Sequence, residues 1–514
     1  MDSSYFRRNS VRVVMGCGFC AALVIGITPF LHGQSSPQSN VASAGAEVIN
    51  IDAAAQTTPF PHFWEQMFGS GRANLSLRED WRNDLRTVKN ITGFRYVRFH
   101  AILDDENGVY EEVHGQPVYN FSYVDQIYDG LLQSNVKPFV EISFMPRQLA
   151  ANSTPHAFWY KPLPSPPNDP GKWSALIQAF ADHLVKRYGK EEVEQWYFEV
   201  WNEPNIDFWN GVPKQQTYFA LYDVTAKAVK QADSALRVGG PATAQAAWIA
   251  EFIAHCTQNN IPFDFVSTHV YGNDTAQDVF GHAENIPRRD MVARAAKKVF
   301  DQVKASSAPN TPIIWSEYNA SYMNQVEVTD SAFMGPWLAN NIRECDGLST
   351  MMSYWSFSDV FEEQGVVKTP FYGGYGLIAE RSIPKAALNA FELLHLLGDQ
   401  RIRVNSENTL VTKRRDGAIV VAIWNYAEPG EPVTPKQFRL NVQGATIHRY
   451  RMQKVGPDSG SGLHAWQNMG SPISPTLDQI KQLQHASQME QPINESMAHP
   501  VTLRGQSLAV LELR

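Results

Sequence analysis

Cysteine is scarce, with 4 in 514 residues. Cys17 and Cys20 fall in an apolar N-terminal stretch; Cys256 and Cys345 each sit in a helix-like segment and read as separate buried thiols, with a disulfide in an oxidising compartment as the alternative. No Cys/His spacing of a zinc site occurs, and there is no HExxH or calcium-binding loop. Nothing in the sequence calls for a metal or a cofactor. Basic blocks and Lys/Arg stripes are also missing, and the formal net charge is -8, so the electrostatic footprint of a nucleic-acid partner is absent. No G-x-G-x-x-G follows the early strands, which argues against a doubly wound dinucleotide-binding sheet. No Ser/His/Asp order with a nucleophile elbow is found.

What is present begins with an export signature. Arg7, Arg8 and Arg12 precede an apolar stretch from Val13 to Ile27 that is rich in small residues and short for a membrane span. Residues 1–34 therefore read as a signal peptide cut near Gly33–Gln34, which places the mature chain in the periplasm or outside the cell. An uncleaved anchor is the alternative. No later segment is apolar enough to cross a membrane, so no stable membrane partner is expected after cleavage. Residues 35–46 form a Ser/Gln/Asn/Ala linker.

The chain as a whole is 43% hydrophobic and 11% aromatic, with 13 tryptophans, enough for a large core. Apolar runs alternate with amphipathic stretches. The runs are 63–69, 95–103, 137–144, 195–202, 237–241, 263–271, 312–318 and 351–357. The clearest helix, about 172–188, repeats Trp173, Leu176, Ile177, Phe180 and Leu184 at three- and four-residue spacing after Asp169-Pro170. Eight such units predict a (β/α)8 barrel, an α/β TIM-barrel fold, over residues 59–397. From 398 to 514 short strands between turns predict an accessory C-terminal β-sandwich, which residues 47–58 join by a strand. A helical piece near Thr476–Ser487 interrupts it, and a Pro-rich loop from Pro146 to Pro170 reads as a binding loop.

Barrel enzymes place chemistry where strands end. Glu203 ends the fourth run in Trp-Asn-Glu-Pro, and Glu317 ends the seventh in Trp-Ser-Glu-Tyr. Two carboxyls facing across a barrel mouth suit glycosidic cleavage, in which one donates a proton and the other attacks or activates water. Glu141 and Glu199 lie within strands; Glu199, on the face of Glu203 but deeper, suits a structural role. Asp104, Asp105, Glu362 and Glu363 follow strands two and eight and are further candidates. His100, His269 and Tyr271 end strands two and six, where imidazoles and phenols suit sugar hydroxyls, and Tyr271 is placed to orient the nucleophile. Asn202, beside Glu203, suits a sugar 2-hydroxyl.

These residues carry a resemblance. Gly69-Ser-Gly-Arg72, Tyr96-Val-Arg-Phe-His100, Glu141-Ile-Ser-Phe-Met-Pro146, Trp201-Asn-Glu-Pro-Asn205, Ser267-Thr-His-Val-Tyr271, Trp315-Ser-Glu-Tyr318, the stretch from Tyr354 to Glu363 and Pro370–Leu377 together resemble glycoside hydrolase family 39. The resemblance covers nearly all of the chain after the linker and is strongest with the β-xylosidase branch. It implies a retaining reaction with Glu203 as acid/base and Glu317 as nucleophile. It also implies that His100, Asn202, His269, Tyr271, Trp355 and Glu362 or Glu363 contact the sugar. The expected partner is an oligosaccharide, and the expected activity is an exo-acting β-xylosidase. An α-L-iduronidase, a β-glucosidase, an arabinosidase-like enzyme and a non-catalytic carbohydrate-binding barrel stand as alternatives. Oligomeric state is left open.

Overall fold

The computed structural model describes residues 45–432 and 434–514; the expected signal peptide and most of the linker lie outside them. Eight parallel strands close a barrel: β1 (Met67–Arg72), β2 (Tyr96–His100), β3 (Lys137–Ile142), β4 (Tyr197–Val200), β5 (Arg237–Thr243), β6 (Phe265–Tyr271), β7 (Ile313–Asn319) and β8 (Met351–Tyr354). Neighbours in the chain are neighbours in the barrel, and β8 closes on β1 through Ser353↔Met67 and Tyr354↔Phe68.

Alternation along each strand divides two cores. Outward residues such as Val97, Phe99, Val140, Ile142, Phe198 and Val200 pack into the large core shared with the surrounding helices. Inward, a lower plug of Met67, Tyr96, Phe139, Phe265, Ile314 and Met351 fills the barrel floor. Two residues further along the same faces come Arg98, Glu141 and Glu199, all buried. The barrel interior thus changes from apolar to charged within one pleat, and the functional end lies above the change.

The first run differs from its expected form. Phe63–Glu65 make a short 3-10 turn, and β1 begins only at Met67. The helix Pro170–Tyr188 starts at Pro170, because Asp169 caps it by accepting the N–H groups of Gly171 and Lys172, and it stops at Gly189. A hairpin, Tyr110–Val113 with Gln116–Tyr119, projects after β2 through His114 and Gly115, both at positive φ.

In the accessory region a seven-stranded sheet runs, from one edge to the other, through Thr58–Pro59, Gln400–Ile402, Thr409–Lys413, Ile419–Asn425, Ser507–Leu513, Arg449–Val455 and Ile493–Ser496. Across from it, Glu47–Asp52 and Val501–Leu503 flank Lys436–Gln443. Val411, Val421, Ile423 and Leu511 face Ile49, Ile51 and Phe438 in the sandwich core. Their alternate neighbours Leu410, Val420, Ala422, Trp424 and Leu508 join the barrel's core. Burial on both faces explains why Ile419–Asn425 reads as an unbroken apolar run. Thr476 and Gln479 form a reciprocal capping box at the start of Leu477–Ala486, which places the helical insertion. Cys256 and Cys345 are free and buried.

Candidate active site

A cavity of about 340 Å³ opens at the carboxyl ends of the barrel strands. Glu203 and Glu317 both line it. Glu203 lies just past β4, on a turn where Trp201 (φ 74) and Glu203 (φ 44) both adopt left-handed backbone. Such conformations are costly for residues with a Cβ and persist where surroundings enforce them. Here the Trp201 indole N–H donates to the Phe208 carbonyl at 2.7 Å, and the Glu203 N–H donates to the Ala242 carbonyl at 2.8 Å. Glu317 lies inside β7, where register shifts on both neighbouring pairings turn its side chain into the mouth.

Arg98 is the charge centre below them. Its Nε donates to Glu199 at 2.5 Å, its Nη1 to Glu317 Oε1 at 2.7 Å and its Nη2 to the Asn202 amide oxygen at 2.9 Å. Glu141 Oε2 stands 2.8 Å from Nη2 and 2.7 Å from His100 Nδ1, and Ser143 Oγ donates to its other oxygen. Asn202, whose oxygen is taken by Arg98, also lines the cavity, and its amide nitrogen is the donor it has left. The Tyr271 hydroxyl donates to Glu317 Oε2 at 2.5 Å. Both oxygens of Glu317 are therefore held. Burial and the Glu317 charge keep the Tyr271 phenol well above its usual range, so it remains a donor.

The two glutamates titrate apart. Burial, then the charges of Glu317 and Asp274, push Glu203 well above the usual carboxylate range. Burial lifts Glu317 as well, but Arg98, His100 and the Tyr271 hydrogen bond oppose it. The arrangement favours a proton on Glu203 and a charge on Glu317. His269 is held neutral by burial and by the nearby positive charge of Arg98. Its Nδ1 lies 2.9 Å from Glu203 Oε1 and its Nε2 3.1 Å from Ser316 Oγ.

A carboxylate oxygen of Glu203 and one of Glu317 lie within 4.8 Å of each other. A close pair of this kind suits covalent double displacement; inverting enzymes need roughly 6.5–9.5 Å to seat a water.

Of the other expected contacts, His100, Asn202, Tyr271, Trp355 and Glu363 line the cavity. Trp355 fits only because residue 69 is glycine: a Cβ there would stand 2.2 Å from the indole. Glu363 Oε1 has no hydrogen-bond partner among the described residues and stands 3.6 Å from His100 Nε2. Burial, then the charges of Glu317 and Glu203, keep Glu363 well above its usual range, so it can donate as well as accept.

Two expected contacts lie off the cavity lining. His269 is fully buried behind Glu203. Glu362 turns away at φ 62 and pairs with Arg78 (2.6 Å) and Arg72 (3.2 Å), outside the lining. Asp104 spends an oxygen capping the turn at Glu106, and Asp105 pairs with Arg147. Among the residues not anticipated as lining the site are Asp274, Gln245, Tyr322, Tyr375, Phe208 and Phe158, the last delivered by the Pro-rich loop.

His62, Glu65 and His395 also cluster, where residues before β1 meet the helix Ala386–His395. His395 Nδ1 lies 2.9 Å from Glu65 Oε1, and His62 Nδ1 contacts the same oxygen. Ligands sharing a tetrahedral zinc stand roughly 3.3 Å apart given Zn–N bonds near 2.0 Å. These contacts therefore describe hydrogen bonds, not a coordination sphere.

A (β/α)8 barrel with a close carboxyl pair rising from β4 and β7, one protonated and one anchored by Arg98 and Tyr271, defines a retaining glycosidase. Residues 47–506 match the model of Glycosyl hydrolases family 39, and the chain belongs to that family. It is 38% identical over 454 residues to a β-xylosidase of Geobacillus stearothermophilus, covering 86% of this chain and 89% of that one. The crystal structure of a family 39 enzyme from Xanthomonas axonopodis pv. citri superposes with a TM-score of 0.84 at 33% identity, over 93% of this chain and 99% of that one. A family 39 β-xylosidase from Caulobacter crescentus gives 0.80 at 34% identity, over 91% and 100%.

Proposed function

We propose that this chain is an exo-acting β-xylosidase that releases xylose from xylo-oligosaccharides outside the cytoplasm, with Glu317 as nucleophile and Glu203 as acid/base. The observation that carries the reading is the close, unequally titrating glutamate pair. A Glu317 oxygen attacks the anomeric carbon while the bond to the glycosidic oxygen breaks, and the Glu203 proton passes to that oxygen. Esterification removes the Glu317 charge that had helped to raise Glu203. Glu203 then falls toward its ordinary range and is ready, as a carboxylate, to take a proton from the water that attacks the anomeric carbon as the ester bond to Glu317 breaks and Glu317 leaves as a carboxylate. A charged His269 would favour ionised Glu203 and spoil the acid; its neutral state preserves it.

The lining supports a neutral sugar. Glu203, Glu317, Glu363 and Asp274 are the acidic side chains on it, Glu317 being the one held as a carboxylate, and it holds no Lys or Arg. A uronic acid would bring a further carboxylate to an acidic wall without a cation, which disfavours the iduronidase reading. Among the described residues no helix is long and apolar enough to cross a membrane; the export reading rests on the Arg-led apolar stretch of residues 1–34.

Proton NMR of hydrolysis of an aryl β-D-xyloside tests the proposal. Early appearance of β-xylose is expected. Early α-xylose would overturn the double displacement, and cleavage of an aryl α-L-iduronide in preference to the xyloside would overturn the sugar assignment.

A further inference from the structure

Glu203, Glu317 and Glu363 each have a place in the site as read above, but the fourth carboxyl on the cavity wall has none. Asp274 follows β6 in the turn Gly272–Asp274. Its N–H donates to the Tyr271 carbonyl at 3.0 Å, and its Oδ2 accepts the Tyr271 N–H at 2.8 Å. No described group hydrogen-bonds its Oδ1, although the residue is only 9% exposed and lines the cavity. Capping a turn needs one oxygen, and surface Asx turns provide it at little cost. The second oxygen has no partner among the described residues and is open to the cavity that Asp274 lines, where a ligand's hydroxyl can donate to it.

Its position says which part of the ligand. His100 comes from β2, and Trp355 and Glu363 follow β8, on one side of the barrel ring. Asp274, Gln245 and Tyr322 follow β6, β5 and β7 on the other. The Asn273 side chain accepts the Tyr322 N–H at 3.0 Å and ties two of these loops together. Glu203 leans to this second side through His269 on β6 and the Ala242 carbonyl on β5. The departing oxygen takes its proton from Glu203, so the sugar attached to that oxygen extends over the second side.

The geometry points to Asp274 as a specificity-determining residue that accepts a hydroxyl hydrogen bond from the departing sugar and holds the proton on Glu203 by its proximity. This rests on the glycosidase reading above. Burial, against the Tyr271 N–H and with the Asp278 charge, pushes Asp274 up to about 7. Glu203 is faced by Glu317, Asp274 and Glu141 as anions, Arg98 as the cation and neutral His269. Asp274 is faced by Asp278, Tyr271, Tyr322 and Glu203 itself. Above about pH 7 Asp274 is ionised, and its charge opposes loss of the Glu203 proton.

Asp274→Asn tests the assignment, because the amide oxygen still accepts the Tyr271 N–H while the charge is gone. The substrates are xylobiose and an aryl β-xyloside with a good leaving group, which share the same glycon. The expected result is a loss of about tenfold or more in kcat/KM on xylobiose and under about threefold on the aryl xyloside, as for a lost hydrogen bond to one sugar. The alkaline limb of kcat/KM should also move to lower pH. Equal losses on both substrates with an unmoved limb would overturn the assignment and leave Asp274 as a turn cap. Asp274→Ser, which also accepts the Tyr271 N–H, repeats the measurement should the Asn variant fold poorly. A wild-type enzyme that cleaves neither xyloside would count against the xylosidase reading; the leaving-group comparison is then run on the glycon that is cleaved.

Discussion

Two buried cations hold this protein's active end together, and they do it differently. Arg98 is surrounded by Glu141, Glu199 and Glu317, and one of those three carboxylates reaches into the cavity. Lys385, fully buried, lies 2.6 Å from both Asp330 and Asp359 and donates to the Gly374 carbonyl at 2.8 Å. Each aspartate also takes a backbone N–H of the same loop: Gly373 to Asp330 at 2.6 Å and Gly376 to Asp359 at 2.7 Å. Glycine is required there, since a Cβ on Gly374 or Gly376 would stand 2.4 Å from atoms of Asp359. The Lys385 cluster is closed, and its product is a shape: it fixes the loop that presents Tyr375 to the cavity. The Arg98 cluster is open, and its product is a charge state. A point-like ammonium suits wrapping by a loop, whereas a planar guanidinium can address separate carboxylates along separate directions.

Removing the one anion that belongs to both cluster and cavity should have the largest effect. Glu317→Ala is expected to lower turnover by about ten-thousandfold or more while xylose binding persists. Turnover within tenfold of wild type would mean that another group attacks. Arg98→Met comes next: an expected loss of about a hundredfold in kcat/KM, with the acid limb of its pH profile moved upward. The sign follows from Glu317, which must be ionised to attack and which loses the cation that opposes its rise. An unmoved limb would dissolve the distinction between the two clusters. Lys385→Met should be the mildest of the three in catalysis. It leaves two buried aspartates uncompensated, so denaturant unfolding should show a loss of about 3–5 kcal/mol. KM should rise as the Tyr375 loop loosens, with the acid limb in place; a shifted limb would show that this cluster also sets charge.

Glu203 and Glu317 were legible because each ends an apolar run where a barrel strand meets its loop. The eight strands were legible for the same reason, within a few residues. Arg98 was not. An arginine inside a strand ordinarily reads as an edge or snorkelling residue, and its partners lie 101 and 219 residues away in the chain. The available signal was its place two residues before His100, on the inward face. Glu362 and Glu363 could not be told apart, because adjacent loop residues carry no periodicity; with the left-handed backbone at Glu362, it is Glu363 that lines the cavity. His269 was legible as a strand end, but a bulge against β7 sets it behind the acid. Asp274 sits in a Gly-Asn-Asp turn, where a turn reading already accounts for the residue.

The strand Glu47–Asp52 pairs in parallel with Lys436–Gln443, bringing together residues 391 positions apart, Asn50 and Asn441. The barrel's eight strands pair with chain neighbours, apart from the closure of β8 on β1, whereas this early strand pairs with a segment in the last quarter of the polypeptide. The accessory domain is thus held by a long-range clasp between the two ends of the described chain. A cut at residue 398 would divide that clasp between two fragments, neither holding a whole accessory domain.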